Sequence, residues 1–110
     1  MLDLAGEPDA EAWATILGEN LRLGTTSVLA TLAPTPNLNA ELDFCRQWMS
    51  QSRRGARVLG VYLESPYVNL SQKGALDPSC LRLPDDGSAA ALLAYADTLR
   101  VFMLAPELPG

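Results

Sequence analysis

Hydrophobic positions along this chain switch between a helical and an extended rhythm. Residues 9–23, "DAEAWATILGENLRL", place Trp13, Ile16, Leu17 and Leu21 at three- and four-residue spacing, which predicts an amphipathic helix with those four on its buried face. Asp9 stands where a side chain caps the free amides of the first turn, and Gly24 suits the left-handed residue that stops a helix. "TTSVLATL" (25–32) is rich in β-branched residues and halts at "APTP", so it reads as a buried strand. "NLNAELDFCRQWMSQS" (37–52) is a second predicted helix, with Asn37 as its cap and Leu38, Leu42, Cys45 and Met49 as its apolar stripe. "RVLGVYLE" (57–64) is almost continuously apolar, as strands covered on both faces of a parallel sheet are. A third helix, "SAAALLAYADTL" (88–99), has Ser88 or Asp86 as candidate cap and feeds a third strand, "LRVFMLAPE" (99–107).

The element order is therefore α-β-α-β-loop-α-β. The strands lie far enough apart for right-handed crossovers, and the predicted class is α/β, with parallel strands in one 110-residue unit of about three strands and three helices. No internal repeat or low-complexity tract interrupts it.

Composition narrows the functional classes. At 48% hydrophobic and 19% charged residues the chain is globular, not disordered. A net charge of -5 argues against nucleic acid or an acidic membrane surface as partner. The densest basic cluster, Arg53, Arg54 and Arg57, falls in a predicted connection and reads as a solvated turn, with a phosphate contact as the lesser alternative. No apolar run approaches the ~18 residues of a membrane span. The start "MLDLAGEPDAE" has no charged-then-apolar signal pattern, so a cytoplasmic protein with Cys45 and Cys80 as free thiols is expected. Histidine is absent altogether. That excludes a Ser-His-Asp or Cys-His nucleophile within this chain, and any self-contained histidine-rich metal site.

In parallel α/β architectures functional groups gather at the carboxyl ends of strands. Thr31, Glu64 and Glu107 answer that description. Glu64 leads, because the longest irregular stretch, "SPYVNLSQKGALDPSCLRLPDDG", follows it, and long loops in compact domains are commonly functional or mobile. The plain alternative is a solvated acid at a strand end. Glu107, between Pro106 and Pro109, reads as part of a turn. Lys73-Gly74 could bring a cation and a backbone amide to an anionic ligand, or simply form a tight turn. Tyr62 shares the face of Glu64 by period-two alternation, and Tyr67 follows it; both are equally ordinary as strand packing.

"LGVYLESPYVNLSQKGALDPSCLR", followed after the third helix by "VFMLAPELPG", resembles the N-acetylglucosamine-6-phosphate deacetylases of the amidohydrolase superfamily. Their corresponding stretch runs Gly-x-His-Leu-Glu-Gly-Pro, then Lys-Gly-Ala/Thr-His and an Asn/Asp-Pro step, with Thr-Leu-Ala-Pro-Glu on a later strand. "LGTTSVLATL" upstream is similar to the family's Gly-x-Thr-x-x-x-x-Thr strand. The resemblance implies part of a (β/α)8 barrel that binds a divalent metal, zinc foremost, and removes an acetyl group from an amino-sugar phosphate. It implies Glu64 as a metal ligand, where a hard carboxylate helps hold an ion that activates water. It also implies a substrate-touching loop at Lys73, Gly74, Ala75 and Leu76.

Departures accompany the likeness. Tyr62 stands where the family has histidine, Ser65 where it has glycine, and Leu76 where it has the loop histidine. The two histidine ligands and the catalytic aspartate would come from strands beyond Gly110, and a full barrel takes roughly 250 residues. Two readings follow: a segment of a deacetylase that is inactive by itself, or a degenerate α/β unit that binds a partner or a phosphorylated sugar without catalysis. An unrelated flavodoxin-like unit is the third. Three parallel strands leave two open edges, so a marginal monomer or a homo-oligomer associated through those edges is expected.

Overall fold

The computed structural model describes residues 9–51 and 54–110, so the N-terminal segment and Arg53 of the basic cluster lie outside the described residues. Helix α1 (Ala10–Arg22) starts at Asp9, whose carboxylate accepts hydrogen bonds from the amides of Glu11 (2.8 Å) and Ala12 (3.3 Å). Its end is closed as the sequence predicts. Gly24 takes φ 93°, and the amides of Gly24 and Thr25 bond the carbonyls of Leu21 and Asn20, satisfying two orphan acceptors.

Only half of the predicted α1 stripe is buried. Trp13 and Leu17 are in the core, whereas Ile16 and Leu21 are exposed. The reason is the narrow seat of the helix: Trp13 meets the aromatic rings of Phe44 and Trp48, and the Leu17 carbonyl accepts from the Ala56 amide at 2.8 Å. One row of side chains is therefore covered, not two.

Helix α2 (Leu38–Met49) buries Leu38, Glu41, Leu42, Cys45 and Trp48. Met49, expected in the stripe, is half-buried, and Trp48 takes its place. Asn37 makes no side-chain capping bond, because its backbone (φ -99°, ψ 11°) is not in the extended conformation a cap requires. Thr35 serves that turn instead. Its hydroxyl accepts from the Asn37 amide (3.2 Å) and donates to Glu41 Oε1 (3.1 Å).

Strands β1 (Ser27–Leu32), β2 (Arg57–Glu64) and β3 (Leu99–Met103) form a parallel sheet in the order β1-β2-β3. The central strand has the predicted bounds. β3 is shorter than expected, because the chain leaves the ladder at Leu104: the Ala105 amide bonds Tyr67 O at 2.9 Å, and Pro106 has no amide to give. Helix α3 (Ser88–Leu93) also stops early, as Tyr95, Ala96 and Thr98 take tight bonds to carbonyls three residues back. Of its two candidate caps, Asp86 accepts from the Ser88 amide at 2.8 Å, while Gly87 occupies the cap position at φ 87°.

The helices lie on one side of the sheet. Trp13, Leu17, Leu42, Cys45, Trp48 and Leu92 form a single cluster with Ala30, Leu32, Val58, Val61 and Leu63 of the strands. Arg46 fastens α2 to the turn before β3. Its guanidinium reaches Asp97 (2.6 Å) and the Ala94 carbonyl (2.8 Å) and lies 4.4 Å from the Tyr95 ring centroid. Among the described residues no helix is long and apolar enough to cross a membrane.

Candidate functional site: the helix-free face and its rim

Alternation in a strand sends neighbours to opposite faces. Since Val61 and Leu63 enter the core, Tyr62 and Glu64 lie on the face away from the helices. Register places Thr31 beside Tyr62, Val101 on the other side of Tyr62, and Met103 beside Glu64. None of these five belongs to the core cluster. Glu64 is half-buried and takes no part in either ion pair found among the described residues, Arg22–Glu19 and Arg46–Asp97. The structure thus brings Thr31, Tyr62 and Glu64 onto one open surface.

Ser65 is fully buried, and its hydroxyl accepts from the Tyr67 amide at 3.2 Å. Ser65 thereby closes the turn out of β2. Tyr67 turns away from the site: it is buried, its ring lies 6.0 Å from that of Phe102, and its hydroxyl is 2.8 Å from that of Ser88.

The long loop is more ordered than its sequence suggests. It contains three short 3-10 turns, Leu70–Gln72, Pro78–Cys80 and Pro84–Asp86. Asn69 and Asp77 cap the first two by accepting from the amides of Ser71 (3.0 Å) and Ser79 (2.9 Å). The bond to the Ser79 amide comes first among the causes that hold the Asp77 carboxyl below its ordinary range. Across the loop's base, the Arg82 amide bonds Pro66 O at 2.9 Å.

Lys73 does not project as a free cation. Its ammonium donates to the Gly74 and Leu76 carbonyls of its own loop, at 3.1 and 3.0 Å. Gly74 takes φ 59° with nothing within 4 Å of where a Cβ would be, so the turn's conformation, not crowding, selects glycine there. Gly74 and Ala75 are exposed and Leu76 is half-buried. Glu107 lies past the end of β3 and accepts from Asn69 Nδ2 at 3.1 Å. That link between two strand-end loops was missed by sequence reasoning, since nothing in the spacing of Asn69 and Glu107 shows that β2 and β3 are neighbours.

Glu41 is a second surprise. Only 5% exposed, it sits inside the first turn of α2 beneath Thr35. Burial raises its pKa above the ordinary 4.5, against a smaller lowering by the Thr35 hydroxyl. Burial, and then the charge of Glu41, push the Cys45 thiol up to about 12, which leaves it protonated and inert. A raised carboxyl contributes its full stability below pH 4.5 and loses it as pH rises through the folded-state value. Glu41→Gln is therefore expected to raise the urea midpoint at pH 7, with the gain vanishing as the pH falls below 4.5. A gain that is constant with pH in parallel urea titrations would contradict this origin.

Metal binding can be tested against the donor set. Glu64 is the carboxylate on the open face, its neighbours there are a phenol, a hydroxyl and a thioether, and among the described residues no group of three His, Cys, Asp or Glu could hold an ion. A lone carboxylate retains a divalent cation poorly. The described residues do not by themselves make a metal site.

No protein-family model matches the chain. It is 39% identical over 92 residues to an N-acetylgalactosamine-6-phosphate deacetylase of Escherichia coli O157:H7, covering 81% of this chain and 24% of that protein. It is 28% identical over 92 residues to an N-acetylglucosamine-6-phosphate deacetylase of Haemophilus influenzae, again covering 24% of the relative. The fold superposes on a crystal structure of N-acetylglucosamine-6-phosphate deacetylase from Pasteurella multocida with TM-score 0.65 and 27% identity, over 78% of this chain and 23% of that one. The chain thus spans about a quarter of the length of the relatives it matches. Over most of its own length it is similar in sequence and in parallel α/β fold to one segment of the amino-sugar-6-phosphate deacetylases.

Proposed function

We propose that these 110 residues are one segment of an amino-sugar-6-phosphate deacetylase, contributing three successive strand-and-helix units to its barrel. The observation that carries this reading is the open face: Glu64 stands unpaired at the carboxyl end of the central parallel strand, on the side no helix covers. In this reading Glu64 is a metal ligand of the whole enzyme, with zinc the leading ion, and Gly74, Ala75 and Leu76 line the approach of the amino-sugar phosphate. The remaining ligands and the proton-transferring groups come from other chain, so residues 1–110 alone neither hold the metal nor catalyse. The two free thiols agree with a cytoplasmic setting.

A second reading keeps the segment as a non-catalytic α/β unit that binds a partner or a phosphorylated sugar. It is favoured by Lys73, whose charge is spent on its own loop, and by Leu76, which offers no polar side chain. In both readings the edges of β1 and β3 are open and favour association of copies or of further strands.

The test is direct. Purified 1–110, dialysed against zinc and assayed with N-acetylglucosamine 6-phosphate, is expected to hold less than one zinc per chain and to release no acetate. Turnover that disappears in Glu64→Ala would overturn the assignment of catalysis to the whole enzyme only. Sedimentation of the same sample is expected to show association; a stable monomer with a sharp, high-temperature melt would contradict the open-edge argument.

A further inference from the structure

Residues 70–76 stand off from the body of the fold. Leu70 is 64% exposed, and Ser71, Gln72, Gly74 and Ala75 are exposed with it. Within the turn, hydrogen bonds are local. The Gln72 amide reaches the Asn69 carbonyl (2.8 Å), the Leu76 amide reaches the Lys73 carbonyl (3.2 Å), and the Lys73 ammonium reaches the Gly74 and Leu76 carbonyls. Those bonds give the turn its shape but no hold on its surroundings. Asn69 supplies the hold. Its Oδ1 accepts from the Ser71 amide (3.0 Å) and hydroxyl (2.8 Å), while its Nδ2 donates to Glu107 Oε1 at 3.1 Å.

Glu107 is the fixed side of this link. The Ala105 amide bonds the Tyr67 carbonyl (2.9 Å), the Leu108 amide closes a turn onto the Ala105 carbonyl (3.2 Å), and Leu108 packs against the core. Pro106 and Pro109 restrict the backbone on either side. We propose that Asn69 and Glu107 form a clasp that holds the Lys73–Leu76 turn in place. Because β2 and β3 are neighbours, this one side-chain bond joins the two segments that leave their carboxyl ends. A hydrogen bond to a carboxylate is among the stronger kinds, so its loss lets the turn open more often while the core stays packed. The functional meaning of the clasp rests on the deacetylase reading. There Asn69 and Glu107 are positioning residues that fix Gly74, Ala75 and Leu76 relative to the strand ends.

The chain carries its own reporter. Lys73 is its single lysine, so a lysine-specific endoproteinase cuts the 110-residue chain once, inside the turn. Where reclosing outpaces cleavage, the cutting rate follows the population of the open turn. Glu107→Ala is expected to speed cleavage about five- to tenfold, with the circular dichroism unchanged. Asn69→Asp keeps an oxygen for the Ser71 amide but sets a carboxylate against Glu107, and is expected to act at least as strongly. Glu107→Gln keeps an acceptor oxygen and is expected to stay within about twofold of the parent chain. Combining Asn69→Asp with Glu107→Gln exchanges donor and acceptor, and is expected to bring the rate back to within about twofold. Urea well below the unfolding midpoint is expected to leave the parent rate nearly flat, since a local opening exposes little surface. Unchanged cleavage in Glu107→Ala overturns the proposal. So does a combined variant that is cut as fast as Asn69→Asp alone, or a parent rate that climbs with urea as steeply as unfolding itself. No readout here uses metal, sugar or acetate. A failed clasp therefore leaves the deacetylase reading standing, and a failed deacetylase assay leaves the clasp.

Discussion

Gly60→Ala is expected to remove about 3 kcal/mol or more of stability, a large share of the roughly 5–15 kcal/mol that holds a domain of this kind together. Gly60 sits in β2 at φ 154°, beside the register shifts that the strand makes with both neighbours. A Cβ there would lie 2.6 Å from the Thr98 carbonyl oxygen and 2.4 Å from Arg100 Cγ. Arg100 is exposed and can swing aside. The carbonyl cannot, because it accepts the Val61 amide at 2.9 Å and so fixes the first rung between β2 and β3. The alanine must break that rung or distort the central strand. Gly74→Ala supplies the contrast. Its φ of 59° is also left-handed, but no atom lies within 4 Å, so the expected cost is about 1 kcal/mol. Urea denaturation of the two variants side by side checks the argument; equal losses would show that crowding at Gly60 is not the cause.

The second large effect is at Trp13. Its ring is 1% exposed and lies 5.1 Å from the Phe44 ring, nearly perpendicular, and 5.3 Å from Trp48. Trp13→Ala removes the main contact of α1 with the rest of the fold and is expected to cost about 3–5 kcal/mol. Yet its indole Nε1 is buried without a hydrogen-bond partner, alone in this among the described side chains. A buried donor left unpaired costs free energy that a hydrocarbon ring does not. Trp13→Phe is therefore expected to lose only about 1–2 kcal/mol, the smaller ring's missing contacts being offset in part by removal of that donor. If thermal melts place Phe as low as Ala, the indole nitrogen has a partner that this account lacks.

How far each feature was legible depends on the range of the interaction behind it. The cap of α1 at Asp9 and its stop at Gly24 are bonds between residues within five positions, and the local pattern predicted both. Asn37 shows the limit of that logic. Residue type made it a cap, but the prolines on either side of Thr35 set a backbone in which the threonine hydroxyl does the work. Glu64 was legible as a candidate, since period-two alternation and the following loop mark a strand end. The absence of histidine from all 110 positions is read from the sequence directly and means that no imidazole of this chain can stand beside it.

The sequence by itself determined the α/β class, the parallel strands, the bounds of β2 and the common face of Tyr62 and Glu64, because these follow from periodicity and from bonds between near neighbours. That helices cover β2 on one face only, not on both as its apolar run suggests, was decided by the tertiary structure. Only the tertiary structure decided that α1 buries one row instead of two, that Glu41 lies under Thr35, that Lys73 is consumed by its own loop, and that Asn69 meets Glu107. Each of these depends on which elements become neighbours. Hydrophobic burial, being non-directional, sets that arrangement through the whole core at once and leaves no mark on any short stretch of sequence.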